Sequence, residues 1–250
     1  MAGKRLLILG GTTEAAALAR ALAEHGAWDV ITSLAGRTRA PAALPGAVRI
    51  GGFGGVDGLA AWLQAERIDR VIDATHPFAA AISAHAVAAC ARLGLPLLRI
   101  ERPAWLPVPG DRWIDASDAG DATDWLAAAL PAGATVLLTL GRQDIAPFKR
   151  CPTLRFVLRS IEPPSPDDLP ADCMLLAERG PFTLAGERAL IGRHGIRAVI
   201  TKNAGGDATA AKLAAAREAA IPVIMIRRPA LPAASTVADV AGALDWLARI

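Results

Sequence analysis

The sequence predicts an α/β protein of two lobes, each a parallel sheet flanked by helices, and three observations carry that prediction. Short apolar runs of strand length alternate with helical stretches along the chain. Gly and Pro punctuate the changes between them. The 250 residues, 53% hydrophobic and 20% charged, correspond to between one and two domains at roughly 150 residues each. The same figures exclude a disordered chain, a collagen and, with Cys 3, a disulfide framework. A membrane span needs roughly 20 apolar residues. The uncharged stretch from Pro77 to Ala91 is shorter than that and carries His85.

Each element follows from its local pattern. Arg5 to Leu9 is a continuous apolar run, as in a strand buried on both faces of a parallel sheet. Gly10 and Gly11 end it, and Glu14 to His25 carries a helical pattern. Val30 to Leu34 and Val48 to Ile50 read as strands, Leu59 to Arg67 as a helix, and Val71 to Ala74 as the next strand. The Ala-rich Phe78 to Leu93 is helical, and Pro96 to Ile100 closes the first lobe as a strand. Three prolines and a glycine in Pro103 to Gly110 mark a linker, so the expected division is 1–102, a linker at 103–112, and 113–250.

In the second lobe Thr135 to Leu140, Leu154 to Ser160 and Met174 to Ala177 read as strands. Thr183 to His194 is a helix, Ala198 to Thr201 a strand, Ala208 to Ala220 a helix, and Val223 to Ile226 a strand. Val237 to Ile250 reads as a closing helix. Both lobes are therefore expected to be Rossmann-like, with the active site in the cleft between them. Ligands of such sheets bind at the carboxyl ends of the strands.

Net charge is only +3, but 23 of the 27 basic residues are Arg. Most of that bias reads as the composition of a GC-rich genome. A guanidinium fork also suits phosphate and carboxylate. No Lys/Arg-rich run is interleaved with aromatics, so nucleic acid is not an expected partner. The chain enters its first strand without a signal-peptide pattern, and Cys90, Cys151 and Cys173 lack CxxC spacing; both features predict a reducing cytoplasm. No His/Cys/Asp/Glu cluster has metal spacing, so no metal is expected.

The strand ends hold the candidate chemistry. The first leads to Gly10-Gly11-Thr12-Thr13-Glu14, a turn whose backbone could approach a phosphate at a helix N-terminus, or one that simply makes a tight capped turn. The second leads through Ser33 to Arg37, Thr38 and Arg39. A hydroxyl followed by two arginines, with no acid for ribose hydroxyls, favours NADPH over NADH; the alternative is two solvated loop arginines. The strand ending at Ala74 leads to Thr75, His76 and Pro77, with Pro77 expected in the first helical turn and His76 facing the crevice, as a ligand contact or equally as a structural hydrogen-bonding residue. In the second lobe the ends carry Arg142 and Asp144, then Arg179, then Lys202, Asn203, Gly205 and Gly206. Lys202 is one of four lysines, in a turn followed by two glycines and a helix with Thr209 and Lys212, an arrangement suited to anions, or else a plain Gly-rich loop with a solvated Lys.

The set GGTTEA at 10–15, DATHPFA at 73–79, GRQDIAPF at 141–148, ERGPF at 178–182 and TKNAGGDATAAKLAAA at 201–216 resembles the precorrin-6A reductases of cobalamin biosynthesis. The resemblance runs in order through nearly the whole chain; Ala204 departs from it, standing where the family commonly has Ser. It implies a cytoplasmic two-lobed oxidoreductase that uses a reduced nicotinamide to saturate one double bond of precorrin-6A, giving precorrin-6B.

With NADPH as cofactor, the resemblance and the strand ends together place it on Gly10, Gly11, Thr12, Thr13, Glu14, Ser33, Arg37, Thr38, Arg39, Thr75, His76 and Pro77. A polycarboxylate tetrapyrrole substrate would lie on Arg142, Arg179, Lys202, Asn203, Gly205 and Gly206. The catalytic candidates are Asp144, His76 and Lys202, and the absence of Tyr from the chain removes one class of proton donor. The expected enzyme is monomeric, with no membrane or nucleic-acid partner. The alternatives are an NADH-dependent reductase of the cobalt-containing substrate, and a two-lobed tetrapyrrole or nucleotide carrier without chemistry.

Overall fold

The computed structural model describes residues 4–36 and 43–249. The chain divides into two compact units, Met1–Pro103 with Pro229–Ile250, and Ala104–Arg228. Each holds a six-stranded, wholly parallel sheet flanked by helices.

In the first unit the chain forms β1 (Lys4–Leu9), α1 (Thr13–His25), β2 (Trp28–Leu34), β3 (Ala47–Ile50), α2 (Gly55–Ala65), β4 (Arg70–Asp73), α3 (Ala80–Leu93) and β5 (Leu97–Ile100). It returns at the C-terminus with β12 (Ser235–Val237) and α7 (Val240–Ala248). The strand order β12-β5-β4-β1-β2-β3 is a doubly wound sheet whose direction of growth reverses between β1 and β4. Because successive side chains of a strand face opposite ways, β1 feeds two cores. Leu6 and Ile8 pack with α1 and α7, while Leu7 and Leu9 pack with α2 and α3.

The second unit contains β6 (Trp113–Ala116), α4 (Ala119–Ala129), β7 (Thr135–Thr139), a 3-10 turn (Ala146–Arg150), β8 (Arg155–Ser160) and β9 (Cys173–Ala177). It continues with α5 (Leu184–His194), β10 (Ile196–Lys202), α6 (Ala211–Glu218) and β11 (Val223–Ile226). Its order β6-β11-β10-β7-β8-β9 reverses between β7 and β10. Leu137, Val157, Val199 and Met225 form one face of this sheet's core with Ile191 of α5 and Leu213 of α6.

The strands anticipated from the apolar runs form close to their expected positions. Four points differ. Residues 229–250 do not belong with the second lobe: β12 pairs in parallel with β5, and α7 puts Ala243 and Leu247 into the core of the first unit. The closing helix is correspondingly shorter, because Val237 sits opposite Ile100 in the sheet and Asp239 caps the helix by accepting from Gly242 N. The stretch 104–112 belongs to the second unit, where Trp105 is bonded to Asn203 and Gly206. Pro77 lies in a turn ahead of α3: the Ala79 amide bonds His76 O at 2.7 Å, and the helix begins at Ala80.

If α7 is part of the first core, Leu247→Ala should cost about 2–4 kcal/mol in urea unfolding. Amide-exchange protection should fall in β1, β4 and β5 while β7 and β10 keep theirs. Loss of protection in β7 and β10 would contradict the assignment.

Candidate active site

At the carboxyl end of the first sheet, the reversal point separates the loops after β1 and β4. Gly10 N donates to Ser33 O at 2.9 Å, tying the first turn to the end of β2. A Cβ on Gly10 would come within 3.1 Å of Thr32 Cγ2 and 3.3 Å of Ala15 Cβ, and Gly11 has φ +109°, so this turn is built for glycine. Thr12 caps α1 by accepting from Ala15 N at 3.2 Å. Its hydroxyl donates across the reversal point to Ala74 O at 2.7 Å. The residues expected after β1 and after β4 are thereby brought together.

Glu14 is paired within the first unit. Arg102 Nη1 donates to both of its carboxylate oxygens, at 2.8 and 2.9 Å. Burial works against the Glu14 carboxylate, but the Arg102 hydrogen bonds and charge outweigh it and leave its pKa below the ordinary value. The negative charge beside the α1 N-terminus is thus neutralised within the fold. Thr13 Oγ1 donates to Glu14 at 3.0 Å. After β4, Thr75 donates through N and Oγ1 to the buried Asp73 carboxylate, at 3.2 and 2.7 Å. The exposed His76 accepts from Phe78 N on Nδ1 at 3.2 Å, an arrangement that puts the proton of a neutral ring on Nε2.

Ser33 is buried at the end of β2, and Arg49 Nη1 lies 3.5 Å from its hydroxyl. Sequence reading passed over Arg49. Its guanidinium stacks 3.7 Å from the Phe53 ring centroid and donates to Gly51 O and Gly52 O at 2.5 and 2.7 Å. The signal was available: an Arg at a strand end followed by Gly51-Gly52-Phe53. Arg37, Thr38 and Arg39 lie outside the described residues.

In the second unit the reversal point lies between β7 and β10, and two of the catalytic candidates meet across it. Asp144, in the loop after β7, pairs with Lys202, the last residue of β10. The Lys202 side chain is 18% exposed and that of Asp144 44%, so the pair is open to solvent mainly on the carboxylate side. Buried Ile145 and Phe148 anchor the Asp144 loop from below. Gly205 and Gly206, at φ +70° and +77°, give the Lys202 loop a path that residues with a Cβ rarely take.

Asn203 commits its amide to the backbone of Trp105, accepting from Trp105 N at 2.8 Å and donating to Trp105 O at 3.0 Å. Arg142 is exposed in the loop after β7. Arg179 is exposed beyond β9, on a recess of about 450 Å³ shared with Arg159, Phe182, Thr183 and Arg193. A larger groove of about 900 Å³, lined by Arg112, Trp113 and Ile196, opens at the other ends of the strands and holds none of the expected residues.

Lys212, expected to face an anion, is instead inside the second unit. Its Nζ donates to Thr209 O at 2.6 Å and sits 4.6 Å from the Trp105 ring centroid. Nearby, Arg159 Nη2 lies 2.8 Å from the buried Glu187 carboxylate, although the contact is not aligned as a hydrogen bond, so the attraction is mainly coulombic. Burial, followed by the Arg159 charge, pushes the Lys212 pKa down to about 7, with Glu187 opposing the shift.

The profile of Precorrin-6x reductase CbiJ/CobK matches residues 5–248. The chain belongs to this family. Among precorrin-6x reductase relatives, the chain is 49% identical over 247 residues to "Precorrin-6A reductase" of Rhodococcus erythropolis, covering 98% of both chains. It is 48% identical over 246 residues to "Precorrin-6A reductase" of Rhodobacter capsulatus, covering 98% of this chain and 96% of the relative. The solved structure "CobK precorrin-6A reductase" superposes with a TM-score of 0.90 at 48% identity, covering 98% of this chain and 96% of that one. The two-lobed parallel fold is therefore that of the precorrin-6x reductase family.

The buried Lys212 gives stability a pH dependence with a defined sign. Its folded pKa of about 7 lies below the ordinary 10.5. Below about pH 7 both states hold the proton and the penalty is complete; between 7 and 10.5 the unfolded chain binds more protons, so stability rises with pH. Wild type should gain stability relative to Lys212→Met between pH 7 and 10 in denaturant titrations. A difference independent of pH would mean that Lys212 titrates normally.

Proposed function

We propose that the chain reduces precorrin-6A to precorrin-6B with NADPH, by hydride addition to one carbon of a macrocycle C=C and protonation of its neighbour. The observation that carries this reading is the Lys202–Asp144 pair at the reversal point of the second sheet, in a chain of this family. Doubly wound sheets bind their ligands at such points.

The first unit supplies a fitting dinucleotide site. Gly10 and Gly11 leave the backbone approachable, α1 presents its N-terminus, and Arg102 removes the charge of Glu14 that would oppose a phosphate. Thr12, Thr13 and Thr75 to Pro77 line the reversal point, with Ser33 and Arg49 beyond. Arg37, Thr38 and Arg39 are proposed for the 2′-phosphate, which is the basis for NADPH over NADH. The nicotinamide, when bound, supplies the hydride.

The second unit would hold the tetrapyrrole. Arg142 and Arg179 are exposed cations for its carboxylates, while Gly205 and Gly206 let the loop backbone approach it. Asn203 sets the shape of that loop. Lys202 is assigned as proton donor: its ammonium holds the proton at Nζ, and its pairing with Asp144 aims the group. After transfer the amine is recharged from solvent through the more exposed Asp144 side. His76 is the competing donor, from its imidazolium form, which the transfer would return to the neutral ring. The enzyme is taken to act in the cytoplasm as a monomer; no helix among the described residues is long and apolar enough to cross a membrane.

Mixing the protein with precorrin-6A should consume NADPH absorbance stoichiometrically with substrate, and absence of turnover with tight binding would point to a carrier. Lys202→Met should lower kcat by about 10²–10⁴ with KM for NADPH unchanged, and His76→Gln should leave kcat within about threefold. The opposite pattern would transfer the donor role to His76. Arg37→Ala combined with Arg39→Ala should raise KM for NADPH about tenfold and leave KM for NADH alone, the loss of about 1.4 kcal/mol of binding.

A further inference from the structure

We propose that Trp105 and Lys212 form a latch that holds the Lys202–Gly206 loop in its working shape, making both positioning residues for the tetrapyrrole. The proposal rests on the assignment of Lys202 and its loop to the substrate.

The loop that follows Lys202, between β10 and α6, is tied down at nearly every residue. At its start, Asn203 N donates to Ile226 O at 2.9 Å, and Arg228 donates to Asn203 O and Ala204 O at 2.9 and 3.1 Å. In the middle, the Trp105 indole N–H donates to Gly206 O at 2.9 Å, while Trp105 N and O engage the Asn203 amide. Toward its end, Ala208 O accepts from Phe182 N at 3.0 Å, and Thr209 O accepts from Lys212 Nζ at 2.6 Å. Trp105 meets the loop from outside and Lys212 from inside, and the two touch each other through the 4.6 Å ammonium–ring contact.

One of the two residues carries a cost of its own. A lysine pointing into the core of α6 pays for desolvation, and an apolar residue there would pack without that cost. The Trp105 ring packs against the core of the second unit, within a segment whose neighbours Leu106 and Val108 are exposed. The Lys212 amine over the indole face ties Trp105 to α6, and the indole N–H to Gly206 O ties it to the loop. The glycines make the loop pliable, so its shape beyond Lys202 depends on these ties.

The test compares Lys212→Met, Trp105→Leu and Trp105→Phe with wild type, using amide exchange and steady-state turnover with precorrin-6A and NADPH. Trp105→Phe keeps a ring face for Lys212 but loses the bond to Gly206 O, so it guards against failure of the harsher variants to fold. Exchange in a peptide spanning 202–210 should accelerate at least about tenfold in Lys212→Met and Trp105→Leu and less in Trp105→Phe. KM for precorrin-6A should rise about tenfold in the first two, with KM for NADPH unchanged. Unchanged KM for precorrin-6A in folded variants overturns the proposal. So does acceleration spread evenly over β7, β8 and β10, or a KM for NADPH that rises equally, because either would be ordinary loss of packing. Lys202→Met serves as the control on the underlying reading: full turnover there, even with faster exchange in the latch variants, would remove the loop from the substrate site and the latch's role with it.

Discussion

The reversal of strand order in each sheet is the constraint from which the site follows. A parallel sheet that grows first one way and then the other leaves two neighbouring strands whose following loops diverge, and the chain must close that gap with something other than sheet hydrogen bonds. Between β1 and β4 the closure is neutral: one Thr12 hydroxyl caps α1 and reaches Ala74 O. Between β7 and β10 it is ionic, made by Lys202 and Asp144. A neutral bridge beside a positive helix end leaves room for an anion. An ion pair open to solvent on one side keeps a proton ready. The two sheets share a plan, and the difference at the bridge is what separates a cofactor site from a proton-transfer site in the reading proposed above.

Much of this was legible in the sequence because it depends on local pattern. Continuous apolar runs such as Arg5 to Leu9 are readable as strands buried on both faces, and their ends are where the candidate residues were sought. What was not legible depends on distant pairing. The three residues of β12 are too short for periodicity to register, and their partner β5 lies more than a hundred residues away, so the C-terminal helix could not be assigned to the first core. The strand β6 carries Asp115 within four residues and is an edge strand, hence it lacks an apolar run. Pro103 to Gly110 has the composition of a linker, yet one tryptophan in it makes three bonds to a loop a hundred residues on.

The same division holds within the site. Asp144 and Lys202 were each visible as polar residues at strand ends, but their pairing needed the adjacency of β7 and β10, a property of topology rather than spacing. Glu14 was visible as part of a glycine turn, while Arg102, which neutralises it, sits beside the proline-rich break. Lys212 was visible as a rare lysine in an anion-like motif. Its burial was not, because α6 is so rich in alanine that both faces look alike.

The arginine excess divides along structural lines. Arg70 is buried between the rings of Trp28 and Trp246, at 5.5 and 5.0 Å; Arg99 is buried against Asp73 at 3.4 Å; Arg159 is buried against Glu187. An uncompensated guanidinium in these positions would be far too costly, and a delocalised, weakly hydrated cation that can stack as well as pair lowers that cost more than lysine would. Those arginines are therefore bound to the fold. Arg142 and Arg179 differ because they are exposed beside the carboxyl ends of the second sheet. The sequence-wide bias supplies arginines everywhere, and position along a strand, whether within it or just past its end, determines which ones can meet a carboxylate.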